Sequence, residues 1–354
     1  MIQKVRSGEE LNKVTLKDFL VKKDFISNRK SKLYIEQFSN GFSNLTYLIQ
    51  IENKELVLRC PPKGAIKYGH DMGREFKVLK GLNKGFTKAP KAFIYSDDKS
   101  IIGAPFYIME KIEGVILSKN EANKRNISAK EYRKIANKWL DSFVELHKLD
   151  FNKIGLGDLG KPNGYVERQI KNWSKQYLNA ATDENPKSEK IMDWLKKNMP
   201  TNYSHSLIHN DYKYDNVVFR DESWNKIESI LDWEMCTLGD PLMDLGTSLA
   251  YWTMESDHQM ILQTLNYPTA KPGNPGRMEL VNLYEERSKK KINDLVFYYV
   301  YGLFKIAVIV QQIYYRYDKG LTSNEKFKDL NKMTQLMCTI GWQSIQKNRI
   351  ENLF

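Results

Sequence analysis

Between Leu207 and Asp244 the chain reads LIHNDYKYDNVVFRDESWNKIESILDWEMCTLGDPLMD. His209, Asp211 and Asn216 form the pattern H-x-D-x-x-x-x-N between two apolar runs. A further apolar run, Ile227 to Leu231, delivers Asp232. Short apolar runs bounded by polar residues read as strands. Three polar side chains are therefore expected on short turns beside rigid strands, the usual support for loops that bind or catalyse.

The set matches the catalytic template of phosphoryl-transfer enzymes. By that match, Asp211 orients an acceptor hydroxyl and takes its proton. Asn216 and Asp232 hold Mg2+ against the phosphates of a nucleotide such as ATP, carboxylate and amide oxygens being the hard ligands this ion prefers. The alternative is a pair of strands with polar turns. Lys213 stands where a basic residue offsets the charge of the transferred phosphate; a solvent-facing loop lysine is the competing reading. Asp240 and Asp244 are expected to brace the loop through backbone hydrogen bonds, with Asp240 a candidate support behind the ligands.

Upstream elements fit the same reading. A modest leading helix is expected over residues 10–24, with Leu11, Val14, Phe19 and Leu20 near helical spacing. Leu33 to Ile51 reads as strand, turn, strand, and its turn holds Ser39, Asn40, Gly41, Ser43 and Asn44. Small residues with exposed amides let a backbone approach phosphates, although an ordinary hairpin has the same look. A third strand, Leu56 to Arg59, ends where kinases carry a lysine for the α- and β-phosphates; an edge-strand surface arginine is the alternative. Pro61 and Pro62 break that strand. A helix is predicted over His70 to Leu82, with Phe76, Leu79 and Leu82 on one face and Glu75 placed to pair with Arg59. Ile101 to Ile112 reads as the last strand of a small lobe running into a hinge, where an adenine edge would meet backbone groups near Glu110 to Ile112.

The remainder reads as mostly helical. Ser128 and Glu131 have capping-box spacing, and Ile135, Trp139, Leu140, Phe143, Val144 and His147 form a stripe, His147 being read as a packed histidine. A Gly- and Pro-containing loop from Ile154 leads to a helix with Tyr165, Arg168, Gln169 and Trp173, either acceptor contacts or core. A further helix is expected over Ile191 to Met199. Beyond Ser248 helices continue, with a break at Pro268 to Pro275.

Composition narrows the partners. Lys and Arg number 55 against 43 Asp and Glu, a formal charge of +12, which suits anionic ligands such as nucleotides, phosphates or CoA esters, although a soluble lysine-rich surface is the preferred reading. The basic residues are scattered, with no Lys/Arg block, so no nucleic-acid partner is expected. Cys60, Cys236 and Cys338 lack zinc spacing and are too sparse for a disulfide framework, which points to a reducing compartment. The N-terminus, MIQKVRSGEELNKV, lacks the apolar core of a signal peptide, so a cytoplasmic location is expected. The most apolar stretch, Leu295 to Tyr315, is interrupted by Lys305, Gln311 and Gln312 and reads as a buried helix; no membrane partner is expected. Nothing in the sequence speaks to an oligomeric state.

The order of these features resembles the aminoglycoside phosphotransferase and choline kinase group. Asn210 after the histidine and the tail DWEMCTLGDPLMDLG carry that resemblance, where protein kinases show D-F-G. FSNGFSNLTYLI, LVLRCPP, HDMGREF, APFYIMEKIEG and GLGDLGKPNGY look like one subgroup, the kinase-like domains that occur alone in bacteria or fused to acyl-CoA dehydrogenases. The resemblance implies an α+β, bilobal protein-kinase-like fold, with an antiparallel-sheet N-terminal lobe over residues 1–110 and a mainly helical lobe over 111–354. It implies transfer of the γ-phosphate of ATP to the hydroxyl of a small-molecule acceptor, with a hydroxyacyl-CoA as the candidate. An aminoglycoside acceptor and a nucleotide-binding pseudokinase are the alternatives.

Overall fold

Alternating apolar residues in consecutive strands build the first part of the molecule. The computed structural model describes residues 2–39, 44–62, 70–265, 267–322 and 324–354. β1 (Ile2–Gln3), α1 (Lys13–Lys22), β2 (Leu33–Phe38), β3 (Leu45–Ile51), β4 (Lys54–Cys60), α2 (Met72–Leu82), β5 (Ala92–Ser96), α3 (Lys99–Ile102) and β6 (Phe106–Glu110) follow one another. The strands form one antiparallel sheet in the order β1-β2-β3-β4-β6-β5. Successive side chains of a strand face opposite sides. Tyr47, Ile49 and Ile51 of β3 and Leu56, Leu58 and Cys60 of β4 therefore share one face, where they pack with Leu16 and Leu20 of α1 and with Phe106 and Ile108. Arg59 falls on the other face beside its register partner Tyr107. There α2 packs, with Phe76 stacked on Tyr95 at 5.8 Å. Strand alternation alone thus delivers a buried arginine to the face that α2 covers.

The chain divides into two compact units. The first comprises Met1–Gly114, Asn152–Leu156 and Glu228–Cys236, and the second Val115–Phe151, Gly157–Ile227 and Thr237–Phe354. The second contains β7 (Val115–Ile116), α4 (Lys119–Lys124), α5 (Ala129–His147), α6 (Tyr165–Ala180), α7 (Pro186–Lys197), β8 (Ser206–Ile208) and β9 (Val217–Phe219). β10 (Ile227–Ile230) leads back to the first unit, where the Ile230 amide donates to Lys88 O at 2.8 Å. β11 (Thr237–Gly239), α8 (Pro241–Tyr251), α9 (Gln259–Leu265), α10 (Arg277–Ser288), α11 (Leu295–Asp318) and α12 (Leu330–Lys347) complete the chain. β8 pairs antiparallel with β11 and β7 with β9.

The expected capping box forms at α5, Ser128 and Glu131 each accepting from the other's backbone. α11 is long and apolar enough to cross a membrane by length and composition, and 78% of its most apolar window is buried in the fold. It crosses α8 where Gly302 meets Gly246: a Cβ on Gly302 would lie 2.2 Å from Gly246 O.

Several expectations need correction. Val14 is 67% exposed, and Leu16 and Leu20 supply the inner face of α1. Phe76 is half-buried and packs on the sheet through Tyr95 and Tyr107; Met72, Glu75 and Val78 join Leu79 and Leu82 on the buried face of α2. Ile101 and Ile102 are not strand residues. Asp98 caps a one-turn helix that ends at Gly103 with φ 88°, and only Phe106–Glu110 pair in the sheet. An apolar run hides such a boundary, because helix caps and not hydrophobicity mark it. α7 starts at Pro186, earlier than the apolar residues suggest, since proline suits a first helical turn.

Candidate active site

In the second unit the chain leaves β8 at Ile208 and kinks at Asn210, whose φ is 69°. Asparagine is among the few residues that tolerate this left-handed conformation. The kink leaves His209 fully buried while Asp211 keeps partial exposure. Two opposite charges grip the loop. The Asp244 carboxylate accepts from the amides of His209 at 2.6 Å and Asn210 at 2.8 Å. The Lys305 ammonium donates to Asn210 O at 2.6 Å and Asn210 Oδ1 at 3.1 Å. Burial would raise Asp244, but the hydrogen bond and charge of His147 and the bonds from the loop outweigh it and hold the carboxyl below its usual range. His147 is the packed histidine expected, lying 2.8 Å from the Tyr284 hydroxyl and 3.2 Å from Asp244. Asp240, by contrast, caps α8 through the Leu242 amide at 3.0 Å, and its burial pushes it up to about 6.

Asp211, Lys213 and Asn216 come together. The Lys213 ammonium donates to both Asp211 oxygens, at 3.0 and 2.9 Å, and lies 4.7 Å from the centre of the Tyr251 ring. Asn216 Nδ2 donates to Asp211 O at 2.8 Å and to Oδ2 at 2.9 Å. Using its nitrogen on Asp211 leaves the Asn216 carbonyl oxygen as its ligand-capable atom. Burial opposes the charge on Lys213, but Tyr251 and Asp211 more than compensate and hold the ammonium well above its ordinary range. The ammonium and the amide together hold the Asp211 carboxylate in one orientation.

Arg59, Glu75 and Asp232 come together in the first unit. Arg59 Nη1 meets Glu75 Oε1 at 2.8 Å, and its Nη2 lies 3.2 Å from Asp232 Oδ1 and 3.4 Å from Glu234 Oε2. Burial pushes Glu75 up against the pull of Arg59. Burial would also lower Arg59, but Glu75, Tyr107, Asp232 and Glu234 raise it well above its usual value, so the guanidinium stays charged. Asp232 has a left-handed backbone, φ 66° and ψ 61°, at the turn leaving β10.

Asn44 is buried and also engaged in this unit: its Nδ2 donates to Glu234 Oε2 at 2.9 Å, and its Oδ1 lies 2.8 Å from His70 Nδ1. Ser39 follows β2; Asn40, Gly41 and Ser43 lie outside the described residues. The Glu110 amide donates to Lys91 O at 2.8 Å, and its Oε2 accepts from the Lys91 amide at 3.1 Å. Ile112 follows in the irregular stretch after β6. Tyr165 and Trp173 are buried, Trp173 Nε1 donating to Gln169 Oε1 at 3.0 Å, while Arg168 bonds the carbonyls of Lys161 and Asn163.

Sequence reasoning missed Glu234 and Lys305. Glu234 stands two residues beyond Asp232, a spacing that a 3₁₀ turn over Trp233–Met235 converts into a shared partner, Arg59. Lys305 was visible only as an interruption of an apolar run. Among the described residues, no group of three or more His, Cys, Asp or Glu could by itself hold a metal ion.

Comparison with known proteins identifies the family. Human acyl-CoA dehydrogenase family member 11 is 34% identical over 325 residues, covering 90% of this chain and 41% of that protein. The chain spans well under half the length of the curated relatives it matches first, 29% to 41%. A provisionally assigned aminoglycoside phosphotransferase from Ralstonia eutropha superimposes with TM-score 0.79 at 29% identity, covering 96% of this chain and 99% of that one. The aminoglycoside phosphotransferase APH(4)-Ia, crystallised as a thermostable mutant with ADP and hygromycin B, shares the kinase-like fold, with TM-score 0.59 at 14% identity, covering 93% of this chain and 98% of that one. The family model described as "Phosphotransferase enzyme family" matches residues 35–281, and the chain belongs to that family.

Proposed function

We propose that the protein is an ATP- and Mg2+-dependent phosphotransferase that moves the γ-phosphate to the hydroxyl of a small molecule, a hydroxyacyl-CoA or related hydroxy compound. The observation that carries the reading is Asp211, held by Lys213 and Asn216 on a kinked loop between two short strands. Asp211 accepts the proton of the acceptor hydroxyl as that oxygen attacks the γ-phosphorus and the bond from phosphorus to the departing ADP oxygen breaks. Lys213 orients Asp211 and offsets charge on the transferred phosphoryl group. Arg59, positioned by Glu75, steadies the phosphates through its two-nitrogen fork. Ser39 and Asn44 contact the phosphates, and backbone groups from Glu110 to Ile112 meet the adenine.

Each proposed donor is of a type that suits a magnesium ion. Asp232 offers a carboxylate and Asn216 a carbonyl oxygen, and Mg2+ is commonly held by one or two such groups together with water and substrate phosphates. When bound, the ion would neutralise charge on the group in flight. Arg59 Nη2 lies 3.2 Å from Asp232 Oδ1.

The acceptor class rests on the relatives named as acyl-CoA dehydrogenase family members and on the net positive charge, which suits an anionic CoA ester. The test is mass spectrometry of hydroxyacyl-CoAs, free hydroxy acids, amino alcohols and aminoglycosides incubated with protein and MgATP. Gain of one phosphate on hydroxyacyl-CoAs, absent with Asp211→Ala, supports the reading. Gain on aminoglycosides alone replaces the acceptor. Nucleotide binding with no transfer to any acceptor, cell extract included, identifies a pseudokinase.

A further inference from the structure

Lys305 is 1% exposed in the middle of the most apolar helix, α11. Buried ammonium groups are rare, and when present they are paired. This one is paired to neutral oxygens, and both belong to a single residue: Asn210 O at 2.6 Å and Asn210 Oδ1 at 3.1 Å. The Trp173 ring lies under it at 6.0 Å. Asn210 is the left-handed residue immediately before Asp211. Its amide, on the opposite side of the residue, is held by Asp244. A cation thus clamps the carbonyl side and an anion the amide side of the one residue whose conformation sets where Asp211 emerges. A packing role alone would be served by an uncharged side chain of similar length.

We propose that Lys305 is a positioning residue for the catalytic loop: it fixes the Asn210 kink and through it the direction of the Asp211 carboxylate. This rests on the reading of Asp211 as the base. Burial pushes Lys305 down to about 8, in line with an ammonium kept for function at a cost in solvation. The clamp also explains why a charged residue stands in the helix that otherwise supplies the core.

The experiment compares Lys305→Met with the wild-type full chain by steady-state kinetics with MgATP and the best acceptor of the panel, and by amide hydrogen exchange over residues 209–212. The expected result is a folded protein whose kcat falls about tenfold or more, whose KM for ATP stays within about twofold, and whose loop amides exchange faster. A folded Lys305→Met with unchanged kcat and unchanged exchange would overturn the proposal. So would a kcat loss matched by an equal rise in the KM for ATP.

Asn210→Gly decides the matter if Lys305→Met does not fold. Glycine keeps the positive φ but removes one of the two acceptors, so kcat is expected to fall several-fold with KM for ATP unaltered; an unaltered kcat overturns the proposal. If the wild type phosphorylates no acceptor, the proposed activity fails by itself, while amide exchange still reports whether Lys305 holds the loop.

Discussion

Replacing Arg59 by methionine tests the charge cluster of the first unit. The substitution removes the guanidinium 2.8 Å from Glu75 Oε1 and leaves a carboxyl that is 3% exposed. At an effective dielectric constant of about 20, unit charges at that separation attract by roughly 6 kcal/mol. Much of this offsets the desolvation of the two ions. Stripping one partner from a buried pair therefore costs about 3–5 kcal/mol, the penalty of an uncompensated charge. Asp232 and Glu234 are more exposed, with side chains 36% and 19% accessible, and their loss of Arg59 adds little. Glu75 escapes part of the cost by taking up a proton.

The pH dependence follows. Burial already pushes Glu75 above its usual 4.5, with Arg59 opposing, and without Arg59 the displacement grows. A folded-state value above the unfolded one means that the folded state binds the proton more tightly. The associated stability is full below 4.5 and is lost as pH rises through the folded value. Arg59→Met is therefore expected to destabilise by about 3–5 kcal/mol at pH 8 and by at least about 1 kcal/mol less at pH 5. Urea unfolding of both proteins at the two pH values measures this. The double variant Arg59→Met/Glu75→Leu is expected to regain stability over the single one, because it leaves no buried charge. A penalty equal at both pH values, or below about 1 kcal/mol at pH 8, would refute the argument.

Three further outcomes are expected. Asp211→Ala should lower kcat by roughly 10²–10⁴ with a small change in KM for ATP, read from initial rates. Gly302→Ala forces a Cβ to within 2.2 Å of Gly246 O, so α8 and α11 must separate, and urea unfolding should show a loss of about 3 kcal/mol or more. Asp244 is held below its usual 3.8; its contribution is complete above that value and is lost as pH falls through the lower folded one. Asp244→Asn should consequently flatten the acid limb of stability against pH, and an unchanged limb would remove Asp244 from the account.

Much of the fold and site was legible because it rests on local rules. The third strand was expected to carry Arg59, and Ser128 with Glu131 announced α5. The spacing H-x-D-x-x-x-x-N put Asp211 and Asn216 on one turn. Less local features were not legible. The helix ending at Gly103 lies inside an apolar run, where the hydrophobic pattern of a short helix and a strand coincide. Asp240 and Asp244, close neighbours in sequence, take different tasks, one capping α8 and the other bonding the loop amides.

By itself the sequence determined the kinds of chemistry: which carboxylates, amides and cations stand on turns, and that an arginine ends the third expected strand. Tertiary structure decided which of them share a partner. Glu234 joins Arg59 through a 3₁₀ turn. Lys305 lies 95 residues beyond Asn210 and reaches it because α11 is buried against the loop. The physical reason is range. Propensity, alternation and capping act over a few residues, whereas the partner of a buried charge is chosen by the packing of helices distant in the chain.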